Sequence, residues 1–281
     1  MISVVTLNRD RPDIYRNHLI SLQNQKMPDG TKWELIILDD STEGNDGQEE
    51  AIKEVCSAGM PCDIKAFRSL NRIELGGEGK IINFGVKQTK GDPIFVLCGD
   101  DIFPAHHFFL IHRLWKRRIA GGEKDFTLGW PLYHVKFDTT IKTELVNNTD
   151  YLENLPEIAP ELLQRREDTH PDFLPGIDLF TGTVDDRALY SREFLFKIKG
   201  WWEGEGSWWR DAWMWGMLTY YKIHNHCEWS SWSLHQWHAH WDVEGNDKAK
   251  EHLDEYSGKV AVSNEGSWGE ADMRKIELRY N

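Results

Sequence analysis

Short apolar runs alternate with longer amphipathic stretches through the first hundred residues of the chain. The apolar runs have the length of buried strands and occupy residues 2–7, 33–38, 64–67 and 94–97. Helical spacing of apolar side chains predicts helices at 13–25, 48–57, 79–88 and 104–118. Strands that alternate with helices are joined by right-handed crossovers. The pattern therefore predicts an α/β fold with a mainly parallel, Rossmann-like sheet flanked by helices.

The pattern is looser in the second half of the chain. One further strand is predicted at 126–133, and the polar stretch 147–176 with its four prolines is predicted to be a long loop over the functional site. A segment at 194–202 leads into a tryptophan-rich helix near 208–221, and a closing helix is predicted near 247–256. Since no repeat or low-complexity linker interrupts the chain, we expect one continuous domain.

Polar side chains follow three of the predicted strands at the point where each strand ends. These are Asn8 after the first strand, Asp39 and Asp40 after the second, and Asp100 and Asp101 after the fourth. In an open parallel sheet, ligands bind beyond the carboxyl ends of the strands. Adjacent carboxylates at the end of a buried strand repel each other unless a cation lies nearby, and hard oxygen ligands suit Mg²⁺ or Mn²⁺. The competing interpretation is an Asp-rich turn.

The composition narrows the class of protein. The chain has 281 residues and a formal net charge of −13, which argues against a general nucleic-acid-binding surface. No apolar run approaches the ~20 residues that span a bilayer, and the first residues already read as a strand rather than a leader. The four cysteines form no CxxC pair, which is typical of reduced thiols. We therefore expect a cytoplasmic protein.

The first hundred or so residues resemble the family 2 glycosyltransferases, which have the GT-A fold. Residues 3–9 resemble that family's opening strand and nucleotide loop, and residues 35–42 resemble its second strand with an Asp-Asp ending. Residues 79–85 are similar to its Ala-Arg-Asn-x-Gly helix, and residues 91–104 to its Asp-x-Asp strand. Each motif is weak alone, but the four occur in the family's order and spacing.

The resemblance implies a nucleotide-sugar donor, with UDP and GDP both open. A carboxylate can accept a hydrogen bond from the imide N–H of a base, and an arginine can bind phosphate or stack on the base. The competing interpretation for Asp39 and Asp40 is a cap of the following turn or helix. The implied donor-site residues are Thr6, Asn8, Arg9, Asp39, Asp40, Lys80, Asn83 and Asp100.

The chain departs from the family pattern at the Asp-x-Asp strand. Cys98 stands at the first Asp, which commonly contacts ribose in the family, and Asp100 stands at the second, which carries the metal. We therefore expect Asp100 to bind Mn²⁺ or Mg²⁺, with Asp101 in support. Many GT-A enzymes complete the metal site with a downstream histidine, and segment 234–241 contains three. In a strand His238 and His240 would share a face, whereas on a helix His235 and His238 would be neighbours. Of the three we favour His238 or His240.

The second half is expected to hold the acceptor and the base. By resemblance to the family's acceptor motif, Asp211 is the candidate general base, although the neighbouring Arg210 would lower its pKa. Glu203 and Glu205 are the alternatives. Most of the 14 tryptophans lie between residues 201 and 241, and flat aromatic faces suit a carbohydrate acceptor or, equally, a modified nucleobase. The predicted acceptor-site residues are Trp201, Trp202, Glu203, Trp208 and Trp209.

These features favour a metal-dependent glycosyltransferase. The family resemblance and the single candidate base imply inversion, and retention stays open. We expect residues 1–105 to hold the donor, 106–245 the acceptor and the base, and 246–281 to form a closing tail. A nucleotidyltransferase is an alternative, although no Gly-rich phosphate loop follows the first strand. The other alternative is a carbohydrate-binding protein on a degenerate transferase scaffold, which Cys98 and Arg210 at motif positions suggest. The sequence leaves the sugar, the acceptor and the oligomeric state open.

Overall fold

A computed structural model of the chain defines its fold. The described residues are 1–27, 30–42, 44–71, 78–135, 139–164, 187–204, 210–236, 255 and 259–278. For residues 163–164 and 210–212, the backbone alone is described.

A mixed sheet forms the centre of the fold. In the described part of the chain it has eight strands in the order β10-β6-β9-β4-β1-β2-β3-β12. Strands β1 to β4 pair in parallel, as the alternating pattern predicts, whereas β9 is antiparallel to both β4 and β6. The eight strands are β1 (Ile2–Asn8), β2 (Trp33–Asp39), β3 (Asp63–Ser69), β4 (Ile94–Cys98), β6 (Phe126–Gly129), β9 (Arg187–Tyr190), β10 (His224–Cys227) and β12 (Met273–Lys275).

A smaller second sheet lies beside the end of β4, with the strand order β5-β11-β7-β8. Its strands are β5 (Asp101–Ile102), β7 (Leu132–Val135), β8 (Leu163–Gln164) and β11 (Ser233–His235). The strand predicted at 126–133 is therefore two strands, β6 and β7, that belong to different sheets. Trp130 lies at the break between them, where its side chain is buried and its indole N–H donates to Ser233 Oγ.

Helices cover both faces of the main sheet. They are α1 (Pro12–Gln23), α2 (Gly47–Ser57), α3 (Glu78–Gln88), α4 (His107–Ala120), α5 (Thr143–Asn147), α6 (Thr149–Glu153), α7 (Leu155–Ile158), α8 (Arg192–Ile198) and α9 (Arg210–Tyr221). Alternate side chains of each strand enter opposite cores, so that Val4 packs with α1, α2 and α4, and Val5 packs with α3, α8 and α9. Each core lies between one face of the sheet and the helices that cover that face, which gives the predicted layered α/β architecture.

The stretch predicted as a long loop begins as compact structure. Helices α6 and α7 and a short 3₁₀ turn at Pro160–Leu162 follow one another, and Leu152 and Leu155 are buried in the core. Residues 165–176 of that predicted loop lie outside the described residues, as does the predicted closing helix 247–256 apart from residue 255. Among the helices that the structure describes, none combines the length and apolarity that a membrane span needs.

Residues 259–278, which we call the C-terminal strap, return to the main sheet. Strand β12 pairs with β3, and the backbone N–H of Ile276 donates to the Ala66 carbonyl. Nearer its start, the strap crosses the second core, where Ser263 Oγ accepts a hydrogen bond from the indole of Trp213. The predicted polar tail therefore includes an edge strand that the hydrophobic pattern did not indicate.

The buried His107 makes the stability of this fold dependent on pH. Its ring lies against Trp130, with centroids 4.5 Å apart, and its Nδ1 is 2.7 Å from Ser231 Oγ. Burial lowers its pKa from 6.5 to about 3. Because the folded-state pKa lies below the unfolded one, the unfolded chain takes up this proton first as the pH falls.

We expect this residue to reduce the free energy of unfolding by about 2 kcal/mol between about pH 7 and pH 5. Denaturant titrations across that range should show a smaller pH dependence for His107→Gln than for the native chain. The exposed His224 supplies the control, since His224→Gln should keep the native pH dependence. Equal pH dependence in all three proteins would contradict the assignment to His107.

Candidate active site

Two adjacent carboxylates lie at the carboxyl end of the main sheet. Asp100 follows β4, and Asp101 begins β5, so the chain passes from one sheet to the other between them. Their side chains are only 6% and 0% exposed. Strand β1 lies between β4 and β2. The chain adds β2 and β3 on one side of β1 and then returns to add β4 on the other side. In open α/β sheets such a switch point is where ligands bind.

His235 faces this acidic pair from strand β11. The pairing of β5 with β11 sets His235 directly opposite Asp101. Its Nδ1 lies 3.5 Å from Asp100 Oδ1 and 3.7 Å from Asp101 Oδ1. One donor atom from each of the three residues lies within 4.8 Å of the other two. Two carboxylates and one imidazole fit the donor preferences of Mn²⁺, and the oxygens also fit Mg²⁺.

The position of His235 refines the predicted histidine ligand. The sequence indicated a histidine between 234 and 241 but favoured His238 or His240, both of which lie outside the described residues. His235 is identified as a candidate ligand because the pairing of β11 with β5 sets it opposite Asp101. A sequence pattern does not reveal which distant strand pairs with β5. No sequence signal singled out the two arginines described next.

Arg11 and Arg187 neutralise the acidic pair. Arg187 begins β9, and its Nε donates to Asp101 Oδ2 at 2.7 Å. Its Nη2 lies 3.4 Å from Asp100 Oδ1, and Arg11 Nη1 lies 3.3 Å from Asp100 Oδ2. Buried carboxylates are retained where such charge-assisted hydrogen bonds offset their lost hydration.

A buried histidine fixes the backbone beneath the acidic pair. His18 Nδ1 lies 2.6 Å from the carbonyl oxygen of Asp101, so this nitrogen donates. Burial lowers the pKa of His18 to about 4, which keeps the ring neutral and leaves Nε2 to accept from Thr6 Oγ1 at 2.8 Å. Thr6 is buried, and its hydroxyl is used inside the protein. The expected contact of Thr6 with a bound nucleotide stays a prediction.

Gln236 anchors the strand that carries His235. Its backbone N–H and its side-chain amide both donate to the Asp100 carbonyl, at 3.0 and 3.2 Å. Asn17 on α1 donates to the Gln236 side-chain oxygen at 2.9 Å. These contacts tie α1, β11 and the acidic turn together, so the histidine and the carboxylates are held by a common set of buried hydrogen bonds.

Asp39 ends β2 one strand away from the acidic turn. Its Oδ1 accepts hydrogen bonds from Ser41 and Gln48, as a turn cap would. Its Oδ2 lies 3.7 Å from Arg68 Nε and accepts no hydrogen bond from the residues that the structure describes. Burial raises the pKa of Asp39 above its usual value. The residue therefore combines the predicted cap with one oxygen that can accept a hydrogen bond from a ligand.

Arg9 and Asp40 form an ion pair beside Asp39. Asp40 Oδ2 accepts from Arg9 Nε at 2.8 Å and also from Nη2. Arg9 Nη1 lies 4.0 Å from Glu78, the first residue of α3. Asn8 donates from its amide to the Arg11 carbonyl at 3.3 Å, which shapes the loop after β1. Lys80 is partly buried on α3.

The predicted Asn83 holds two parts of the protein together. Its Nδ2 donates to the Trp201 carbonyl and to Glu203 Oε1, and its Oδ1 accepts from the Trp201 N–H at 2.8 Å. A Cβ on Gly79 would lie 2.3 Å from the Trp202 carbonyl, so only glycine allows this approach. Asn83 therefore links α3 to the segment that contains Trp201 and Glu203. Its role in donor binding stays a prediction.

The predicted acceptor residues occupy different environments. The ring of Trp201 is fully buried and stands edge-on to Tyr190, with centroids 5.6 Å apart, so it supports the loop from the core rather than offering a face to a ligand. Trp202 is partly buried. Glu203 Oε1 also accepts from the Gly269 N–H of the C-terminal strap at 2.5 Å, which commits this oxygen to the fold.

Other predicted positions cannot be placed at the site. Trp208 and Trp209 lie outside the described residues, as does the alternative base Glu205. Asp211 falls in the first turn of α9, where the backbone alone is described.

The family model for glycosyl transferase family 2 matches residues 2–171 of the chain. That range covers more than half of the sequence and includes β1 to β4 and the acidic pair. Among curated proteins, no sequence matches this chain.

Solved structures of S. aureus TarS share the fold. One TarS structure has a TM-score of 0.53 at 16% identity and covers 84% of this chain and 36% of its own. TarS 1-349 in complex with UDP-GlcNAc has a TM-score of 0.53 at 13% identity, covering 85% of this chain and 59% of its own. The complex with UDP has a TM-score of 0.53 at 16% identity, covering 84% and 60%. The chain thus spans between 36% and 60% of the length of these TarS chains.

Gly99 is predicted to be essential for close packing at the end of β4. A Cβ at this position would lie 2.6 Å from the Leu7 carbonyl oxygen and 2.6 Å from Asn8 Cβ. Gly99→Ala should lower the free energy of unfolding by about 1–3 kcal/mol, because backbone atoms would have to move. The matched control is Gly47→Ala at the start of α2, where the nearest atom would lie 3.5 Å away. Equal unfolding midpoints in urea for Gly99→Ala and the native chain would contradict this prediction.

Proposed function

The chain belongs to glycosyl transferase family 2, and from this premise we propose that it transfers a sugar from a nucleoside-diphosphate sugar to an acceptor hydroxyl with the aid of a divalent cation. The observation that carries the proposal is the cluster of Asp100, Asp101 and His235 at the carboxyl end of the sheet. A metal hydrolase built on this cluster would leave the family match of residues 2–171 unexplained.

The donor nucleotide is proposed to lie across the ends of β1 and β2. Asp39 Oδ2 can accept a hydrogen bond from a base N–H, and Arg9 is close enough to contact the nucleotide from the adjacent loop. Uracil is the favoured base, because TarS structures with the same fold hold UDP-GlcNAc and UDP. The sugar carried by this chain's donor is left open.

Asp100, Asp101 and His235 are proposed to hold Mn²⁺ or Mg²⁺ near the diphosphate. The cation would neutralise the charge that develops on the leaving diphosphate. Asp100 stands at the family's metal-binding position, and Asp101 and His235 offer oxygen and nitrogen donors beside it. His238 and His240 remain further candidates from the sequence alone.

Transfer is proposed to proceed by a single displacement with inversion. The acceptor oxygen attacks the anomeric carbon while the bond from that carbon to the diphosphate oxygen breaks. Asp211 is proposed to take the acceptor proton, a role supported by its place in the motif and at the start of α9. Glu203 is a weaker candidate, because one of its oxygens accepts from Asn83 and Gly269.

The two halves of the chain are proposed to divide the substrates. Residues 1–105 would hold the donor and residues 106–245 the acceptor, which is a carbohydrate or another hydroxyl compound. His235 and Arg187 qualify this division, because they belong to the second half yet contact the acidic pair. Trp202, with Trp208 and Trp209 from the sequence, is proposed to line the acceptor side.

Calorimetric titration of UDP and GDP, each with and without Mn²⁺, tests the donor site. We expect UDP to bind with Mn²⁺ and Asp100→Ala to weaken that binding by on the order of 100-fold, since a metal ligand is lost. Asp13→Ala on the exposed face of α1 is the control and should bind UDP as the native chain does. Failure of both nucleotides to bind folded native protein would argue for the degenerate carbohydrate-binding scaffold.

Steady-state transfer assays test the base. Asp211→Asn should lower kcat by about 10²–10⁴-fold while leaving UDP affinity unchanged, because only proton transfer is removed. Asp150→Asn provides the matched control, since Asp150 is exposed in the first turn of another helix. Full transfer by Asp211→Asn would contradict the assignment, and release of pyrophosphate from a nucleoside triphosphate would favour the nucleotidyltransferase.

A further inference from the structure

The oxygens of the acidic pair are divided between two kinds of partner. The Oδ1 atoms of Asp100 and Asp101 face His235, at 3.5 and 3.7 Å. The Oδ2 atoms face arginines, with Arg11 at 3.3 Å from Asp100 and Arg187 at 2.7 Å from Asp101. Arg187 Nη2 also reaches Asp100 Oδ1 at 3.4 Å. The side of the pair that suits a cation and the side that holds the guanidinium groups are therefore adjacent, and they share Asp100 Oδ1.

The charges of this group balance before any ligand enters. Two carboxylates and two guanidinium groups sum to zero, and a guanidinium group stays protonated at every accessible pH. The carboxylates are nearly inaccessible, and the side chains of Arg11 and Arg187 are only 24% and 15% exposed. A divalent cation that enters alone therefore meets carboxylates whose charge is already matched and brings a net positive charge close to two arginines.

A diphosphate changes this balance. Its oxygens can accept paired hydrogen bonds from guanidinium groups, and they can also complete the oxygen ligands of a divalent cation. With a diphosphate present, each arginine can exchange part of its contact with a carboxylate for a contact with phosphate. The arginines then neutralise less of the negative charge on the carboxylates, so the carboxylates attract the cation more strongly when the diphosphate is bound.

We propose that Arg11 and Arg187 couple the binding of the cation to the binding of the diphosphate. They weaken the affinity for the cation alone and strengthen the affinity for the cation together with a nucleoside diphosphate. This inference rests on the proposed donor site and adds the residues that set its order of assembly. The competing explanation is that the arginines only orient and neutralise the buried carboxylates.

The two explanations predict opposite changes in the affinity for Mn²⁺ alone when Arg187 is replaced. The test variant is Arg187→Gln, which keeps hydrogen-bonding capacity but removes the charge. Coupling predicts tighter binding of Mn²⁺ alone and weaker binding of UDP in the presence of Mn²⁺. The ratio of UDP affinities with and without Mn²⁺ should be on the order of tenfold or more in the native chain and should be smaller in the variant, where Arg187 no longer contributes to it. Calorimetric titrations of Mn²⁺ alone, UDP alone and UDP with saturating Mn²⁺ measure all three quantities.

Two further variants make the test specific. Arg187→Lys keeps the charge and should retain most of the coupling. Arg16→Gln removes an arginine from α1, the helix that follows Arg11, but one that pairs with the exposed carboxylates of Asp13 and Glu54, and it should leave all three affinities unchanged. If Arg187→Gln does not fold, as judged by its unfolding midpoint, Arg11→Gln tests the same prediction at the more exposed arginine.

A decrease in the affinities for Mn²⁺ alone and for UDP with Mn²⁺ in the charge-removing variant would overturn the inference, since it indicates a structural role only. An unchanged ratio of UDP affinities would also overturn it, while leaving the donor site intact. Absence of UDP and Mn²⁺ binding by the native chain would instead overturn the donor site and the inference together.

Discussion

The burial of two adjacent carboxylates is the constraint on which the rest of the site depends. Asp100 and Asp101 repel each other and have lost most of their hydration, so the surrounding chain must supply positive charge and hydrogen bonds. Arg11 comes from the start of α1, Arg187 from the start of β9, and His235 from β11. Three segments far apart in sequence therefore meet at one turn. The small second sheet exists at this place because β5 continues directly from that turn and pairs with the strand that carries His235.

The fold of the first hundred residues could be predicted from sequence because its signals are local. Each of β1 to β4 is a short apolar run that ends in a polar residue, and the helices between them show regular apolar spacing. Asp39 and Asp100 were therefore assigned to the correct edge of the sheet. Arg187 and His235 could not be assigned in this way, since their positions depend on which distant strands pair with β4 and β5. The insertion of β9 between β4 and β6 is likewise a long-range choice that no local pattern encodes.

Family resemblance identified the right segments but did not always identify what their side chains do. The segment 79–85 matches a family motif, yet Asn83 clamps the Trp201–Glu203 segment, and a Cβ on Gly85 would collide with Leu38 and Val5. Thr6 lies in the first motif, yet its hydroxyl supports His18 beneath the acidic turn. Asp39 is equally buried, yet its Oδ2 accepts no hydrogen bond from the described residues, whereas the polar atoms of Asn83 are all used within the protein. The hydrogen bonds that each buried side chain already makes, which the sequence does not state, distinguish these two kinds of motif residue.

The C-terminal strap has a consequence for how the protein is made. Asn264 donates to the carbonyls of Lys199 and Trp201, and the Gly269 N–H donates to Glu203, so the strap completes the segment beside α3. A growing polypeptide emerges with its N-terminal strands first and can assemble β1 to β4 while later residues are still being added. The segment 199–203 gains these partners only after the strap has left the ribosome. Nascent and prematurely terminated chains therefore reach a stage with an ordered sheet but an unsecured 199–203 segment, which is the surface that chaperones and proteases would meet.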